Sequence, residues 1–150
     1  MKLKVYKVRD NAKLPSRAHK TDAGADVFYC PERASKPITI DQNESVLLPT
    51  GLKVGVPEGY MLEIKNKSGV AFKRSLVVGA CVVDSGYDGE IFVNLHNIGT
   101  EPRTIKPGEK VAQAVLVPVI HAQFEQISED SVYGVSTERG SGALGSTGAF

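Results

Sequence analysis

Short apolar segments recur along this chain between turn signals, and almost none keeps helical spacing over ten or more residues. That pattern constrains the fold more than any other feature, because apolar runs of strand length bounded by Gly and Pro build sheets. The segments are Leu3–Val8, Asp26–Tyr29, Ile38–Ile40, Ser45–Leu48, Leu52–Val56, Met61–Lys65, Leu76–Val83, Glu90–Asn97, Arg103–Ile105, Val111–Val119 and Gln123–Ile127. Between them stand Pro49-Thr50-Gly51, Pro57-Glu58-Gly59, Asp84 through Gly89, and Lys106-Pro107-Gly108. Punctuation of this kind predicts an all-β sandwich or barrel. A single short helix is expected near Gly69–Arg74, and no internal repeat is visible.

Two segments say most about packing. In Glu90–Asn97 the residues Ile91, Val93 and Leu95 alternate with polar or exposed positions, which puts one strand face in a core. Leu76–Val83 is apolar on both faces, so it is expected to be covered on both, by a second sheet or by another subunit. The Asp84–Gly89 loop would join these two strands as a hairpin.

A chain of 150 residues makes about one domain, and it buries roughly 70% of the surface it exposes when unfolded, enough for one core without staples. The 18 Lys and Arg nearly balance 17 Asp and Glu, for a net charge of +1. That balance excludes a protein that coats nucleic acid by charge alone. No apolar run approaches the roughly 18 residues a membrane span requires. The N-terminal residues lack the apolar segment of a secretory signal, and the two cysteines, Cys30 and Cys81, lie in apolar stretches. A reducing, cytoplasmic setting with both thiols free is therefore expected. His19, His96 and His121 are scattered without ligand spacing, which argues against a zinc site.

Several groups could receive an anion. Ser68 and the first free N–H groups of the short helix could hold a phosphate, and Gln113 puts an amide into an apolar strand where it needs partners. The end of the chain, Arg139-Gly140-Ser141-Gly142-Ala143-Leu144-Gly145-Ser146-Thr147-Gly148, cannot pack a core. It reads either as a flexible tail or as an anion-binding one, with backbone N–H groups, two hydroxyls and a fixed charge. Asp26 follows a tight turn, and Asp84 leaves the most apolar strand either as a turn residue or as a base.

Five segments in order resemble the five motifs of the trimeric dUTP pyrophosphatases. They are Ala23–Val27, Asn66–Ala71, Val78–Glu90, Gly108–Gln113 and Arg139–Gly148, preceded by Leu14-Pro15-Ser16-Arg17-Ala18. The resemblance implies a β jelly roll as a single domain over residues 1–133, with a flexible Gly-rich tail, 134–150, that closes over the active site. It also implies a homotrimer whose active sites are shared between subunits, and no direct nucleic-acid or membrane partner. The implied reaction is hydrolysis of dUTP to dUMP and pyrophosphate with Mg²⁺. This would limit uracil entry into DNA and supply dUMP for dTMP synthesis.

By position, the resemblance makes Asp84 the base that activates the attacking water, and Asp26 the residue that holds magnesium through water. It places Lys67, Ser68, Gly69, Gln113, Arg139, Ser146 and Thr147 on the phosphates. Gly79, Ala80, Cys81, Val82, Val83, Tyr87 and Leu144 would face the deoxyribose and uracil. Three positions depart from the family pattern. Asn66-Lys67 stands for Pro-Arg, Leu144 for a base-stacking aromatic residue, and Cys81 for a glycine. A dCTP deaminase, which shares the fold, is disfavoured because the chain has Tyr87 and no Trp. A non-enzymatic nucleotide binder is disfavoured because it would not need Asp84.

Overall fold

A computed structural model describes residues 1–33 and 35–143. Two compact units divide after Ile120. Among the described residues, the first contains eleven strands and one helix. The strands are β1 (Lys4–Lys7), β2 (Ala25–Phe28), β3 (Ile38–Ile40), β4 (Ser45–Pro49), β5 (Leu52–Gly55), β6 (Tyr60–Lys65), β7 (Leu76–Val78), β8 (Val82–Val83), β9 (Phe92–Asn97), β10 (Arg103–Ile105) and β11 (Lys110–Pro118), with α1 (Ser68–Arg74) between β6 and β7. The second unit begins at His121 and holds a single turn of 3-10 helix at Glu129–Ser131.

The strands pair antiparallel in four sheets, ordered β1-β5, β10-β3, β2-β11-β6-β8 and β4-β9-β7. This is the expected all-β jelly roll with one short helix. Ile40, Leu48, Val93, Leu95, Ile105 and Ala112 are fully buried in one core. Each large side chain among them contributes roughly 1.5–3 kcal/mol by leaving water. The alternation read in Glu90–Asn97 is present: Ile91, Val93 and Leu95 face the core, while Phe92 lies on the other face and is exposed.

Leu76–Val83 is not one strand. β7 pairs with β9, β8 pairs with β6, and Gly79-Ala80-Cys81 crosses from one sheet to the other. Leu76 and Val83 are buried whereas Val82 is exposed, so within one chain the run is not covered on both faces. Gln123–Ile127, expected as a strand, has no strand pairing among the described residues, and Phe124 is exposed.

Two buried polar groups pin the loops. Asn97 Nδ2 donates to the carbonyls of Ile40 (3.0 Å) and Glu101 (2.8 Å), and its Oδ1 accepts from Gly99 N–H (3.0 Å). Thr50 Oγ1 donates to the Ile91 carbonyl at 2.7 Å. Next to it, Gly51 has φ +71°, and a Cβ there would lie 2.7 Å from Ala12 Cβ and 2.9 Å from Cys30 Sγ. Only glycine satisfies both the left-handed backbone and the close approach.

Candidate active site

The strand register assembles the first half of the site. On β11, Gln113 lies opposite Asp26 of β2 on one side and Lys65 of β6 on the other. β6 runs directly through Asn66 and Lys67 into α1, so Lys67 and Gln113 meet Asp26 in a cleft of about 200 Å³ that Asp22, Ala23 and Gly24 also line. Gln113 lies across Gly24, where any Cβ would collide with its amide, and donates from Nε2 to the Asn66 carbonyl at 2.9 Å. A sheet residue with apolar neighbours thereby finds the partner that its amide requires.

Asp26 is buried, and both of its oxygens are taken. Oδ1 accepts from Lys67 Nζ at 2.6 Å and Oδ2 from Lys110 Nζ at 2.7 Å. Burial pushes its carboxyl upward, but the two ammonium groups outweigh that and hold it below its ordinary value. Lys110 belongs to the fourth motif but was not assigned a role from sequence. A register shift between Lys110 and Ala112, where β11 leaves regular pairing with β2, marks the place where Lys110 joins Asp26. Two ammonium groups thus surround one buried carboxylate, with Asp22 a further carboxylate on the cleft wall.

The second half of the site is the crossing segment and the loop after it. Ala80, Cys81, Val82, Val83, Asp84 and Tyr87 line a cleft of about 250 Å³. Side chains hold the crossing in place: Val78 N–H donates to Asn66 Oδ1 (2.7 Å), and Ala80 N–H to Asn94 Oδ1 (3.1 Å). Gly79 N–H donates to the Asn94 carbonyl at 3.0 Å, and the Cys81 carbonyl accepts from Ile64 N–H at 2.7 Å. Asn94 is itself oriented by a bond from Nδ2 to the Val46 carbonyl (3.2 Å) and lies 3.0 Å from His96 Nε2. What remains uncommitted among the described residues is the pair of Gly79 and Ala80 carbonyls and the Cys81 N–H. Cys81 is a free, half-buried thiol.

Asp84 is exposed at the head of its loop, and Tyr87 N–H donates back to the Asp84 carbonyl at 3.3 Å. Ser68 and Gly69 open α1 and are exposed; Lys67 occupies the cap position without a side-chain cap. In the second unit, Arg139 Nε donates to the Gly142 carbonyl at 3.0 Å. Leu144, Ser146 and Thr147 lie outside the described residues. Asn66, Asn94 and Lys110 were missed as site residues. The signal available for Asn66 was its place where the family has proline, since asparagine supplies a side-chain acceptor that proline lacks.

No group of three or more His, Cys, Asp or Glu that could hold a metal occurs among the described residues. The ammonium groups of Lys67 and Lys110 repel a cation bound directly to Asp26, so the residues fit a cation that arrives on a ligand and meets this carboxylate through water.

A cleft with two lysines around a buried carboxylate and a cleft with uncommitted backbone groups are joined through the two bonds of Asn66, an arrangement in a jelly roll that suits a nucleotide and its phosphates. The dUTPase family model matches residues 10–148. The deoxyuridine 5'-triphosphate nucleotidohydrolase of Clostridium acetobutylicum is 36% identical over 148 residues, covering 97% of this chain and 96% of that protein. That of Acinetobacter baylyi is 39% identical, covering 90% and 87%. A structure of a Staphylococcus bacteriophage 80alpha dUTPase variant with dUpNHpp superposes with a TM-score of 0.84 at 28% identity over 98% of both chains. A dUTPase variant from the S. aureus phage phi11, described with a structural Mg(II) ion, gives 0.75 at 28% identity, covering 86% of this chain and 98% of that one. The chain belongs to the dUTPase family.

Proposed function

We propose that this chain hydrolyses dUTP to dUMP and pyrophosphate, with Asp84 activating the water that attacks the α-phosphorus. The observation that carries the reading is the joining of the two clefts through Asn66, which binds Gln113 by its carbonyl and Val78 by its side chain. A nucleotide laid across them puts its base on the crossing segment, its phosphates on the lysines and Gln113, and its sugar beside Tyr87. The uncommitted Cys81 N–H can donate to a uracil carbonyl oxygen, and the Gly79 or Ala80 carbonyl can accept from the ring N–H. Cytosine has no proton on that ring nitrogen, so it leaves the protein carbonyl unpaired, a cost of about 1–3 kcal/mol.

Ser68, the Gly69 N–H, Lys67 and Gln113 then stabilise charge as it moves to the leaving pyrophosphate. Arg139, Ser146 and Thr147 close on the terminal phosphate, within a tail of residues 134–150 that acts on a core of residues 1–133. Leu144 covers the uracil by apolar contact. Asp26 would hold magnesium through water, and the ion when bound would supply positive charge to the triphosphate. The exposed apolar residues Leu47 and Phe92, on one face of the β4-β9 pair, support a homotrimer with shared sites. No described helix is long and apolar enough to cross a membrane.

The test is to incubate the protein with each dNTP and Mg²⁺ while following pyrophosphate and ammonia. Pyrophosphate from dUTP alone is the expected result. Ammonia from dCTP, or binding without turnover, would overturn the reading.

A further inference from the structure

Tyr87 is held by groups outside its own side chain. Its ring lies over Gly89, where a Cβ would collide with it, and its hydroxyl donates to the Glu90 carbonyl at 2.9 Å. The position of the ring therefore depends on where Glu90 is. Glu90 is gripped in turn: its side chain is only 16% exposed, and Oε1 accepts from Gly51 N–H at 2.8 Å and forms an ion pair with Arg9, which is 17% exposed. Arg9 stands 81 residues earlier in the chain. It is fixed beside the same glycine, because Val8 N–H donates to the Gly51 carbonyl at 2.7 Å. The residue after Glu90 is clamped as well, with Ile91 N–H on the Leu52 carbonyl (2.8 Å) and the Ile91 carbonyl on Thr50 Oγ1 (2.7 Å).

A largely buried ion pair adds little net stability compared with apolar residues of the same volume, but loss of one partner leaves a charge that the site cannot tolerate. Such a pair does more to fix a conformation than to stabilise the fold. Here the conformation fixed is that of the carbonyl holding the tyrosine.

We infer that Arg9 and Glu90 are positioning residues for sugar selectivity, holding Tyr87 where a deoxyribose fits and a 2'-hydroxyl does not. The inference rests on the proposed placement of Tyr87 beside the sugar. If the pair moves, the ring moves with the Glu90 carbonyl, and the space denied to a ribose opens.

The experiment measures kcat and KM for dUTP and UTP in the full-length protein and in Glu90→Gln, Arg9→Met/Glu90→Gln, Tyr87→Phe, Tyr87→Phe/Glu90→Gln and Tyr87→Ala, with thermal melting as the measure of folding. Glu90→Gln keeps an acceptor for Gly51 N–H but strands the Arg9 charge. The double substitution removes both charges, so it restores melting and decides the matter if the single variant does not fold. The expected result is that the dUTP-over-UTP preference in kcat/KM falls about tenfold or more in the Glu90 variants, through KM, with kcat for dUTP within about threefold. Tyr87→Phe lowers the preference similarly, and Glu90→Gln added to it lowers it little further, as coupled residues require. An unchanged preference in the folded Glu90 variants, with Tyr87→Phe still lowering it, overturns the positioning role alone. An unchanged preference in Tyr87→Ala overturns the placement of Tyr87 itself, and the inference falls with it.

Discussion

Asp26 carries one negative charge between two ammonium groups, so its protonation breaks two ion pairs at once. Its carboxyl is held below the ordinary value of 3.8, so its contribution to stability is present above that value and is lost as pH falls through the lower, folded-state one. Urea midpoints should therefore drop on acidification below about pH 4. Asp26→Asn should remove that part of the dependence, as a titration of the two proteins side by side would reveal. In the proposed function Asp84 acts on the reaction rather than on the fold. Asp84→Asn is expected to lower turnover by roughly 10²-fold or more while nucleotide binding, measured by calorimetry, stays close to that of the unaltered protein. Asn66 serves geometry. With Asn66→Ala, Val78 N–H loses its acceptor while the Asn66 carbonyl still holds Gln113. KM for dUTP should then rise about three- to tenfold with kcat nearly kept.

Among the elements, the turn between β4 and β5 is closely packed. Gly51→Ala puts a methyl group against Ala12 and Cys30 in a left-handed backbone, and it is expected to cost about 2–4 kcal/mol in a denaturant titration. Most of the strands were legible in the sequence because turn residues bound them, and Glu90–Asn97 showed its buried face in plain alternation. Leu76–Val83 was legible only as apolar. Periodicity reports burial but not which sheet does the burying, and the crossing at Gly79-Ala80-Cys81 exists only because Asn66 and Asn94 supply its hydrogen bonds from elsewhere. Asp26, Lys67 and Gln113 were marked by the family resemblance and meet in one cleft, whereas Lys110 carried no such mark. Its pairing with Asp26 arises at an irregularity in β11 that no local pattern announces. The partnership of Arg9 with Glu90, 81 residues apart, likewise left no mark in either segment.

For the molecule as a whole, the balanced net charge of +1 sets a requirement that the cleft meets locally. In the proposed function a polyanionic nucleotide meets Lys67 and Lys110 around the buried Asp26 rather than a basic surface. Removal of residues 134–150 is expected to lower kcat/KM for dUTP by about 10²-fold or more while thermal melting moves by only a few degrees. An unchanged rate would show that the core suffices. The segment that passes between two sheets has a further consequence, for hydrogen exchange. Val78, Gly79 and Ala80 spend their amide protons on Asn66 and Asn94, so these protons should exchange slowly, only when the sheets part, whereas the Cys81 amide should exchange freely. Bound nucleotide should slow Cys81 alone among the four, making one amide a direct reporter of whether the base has been seated.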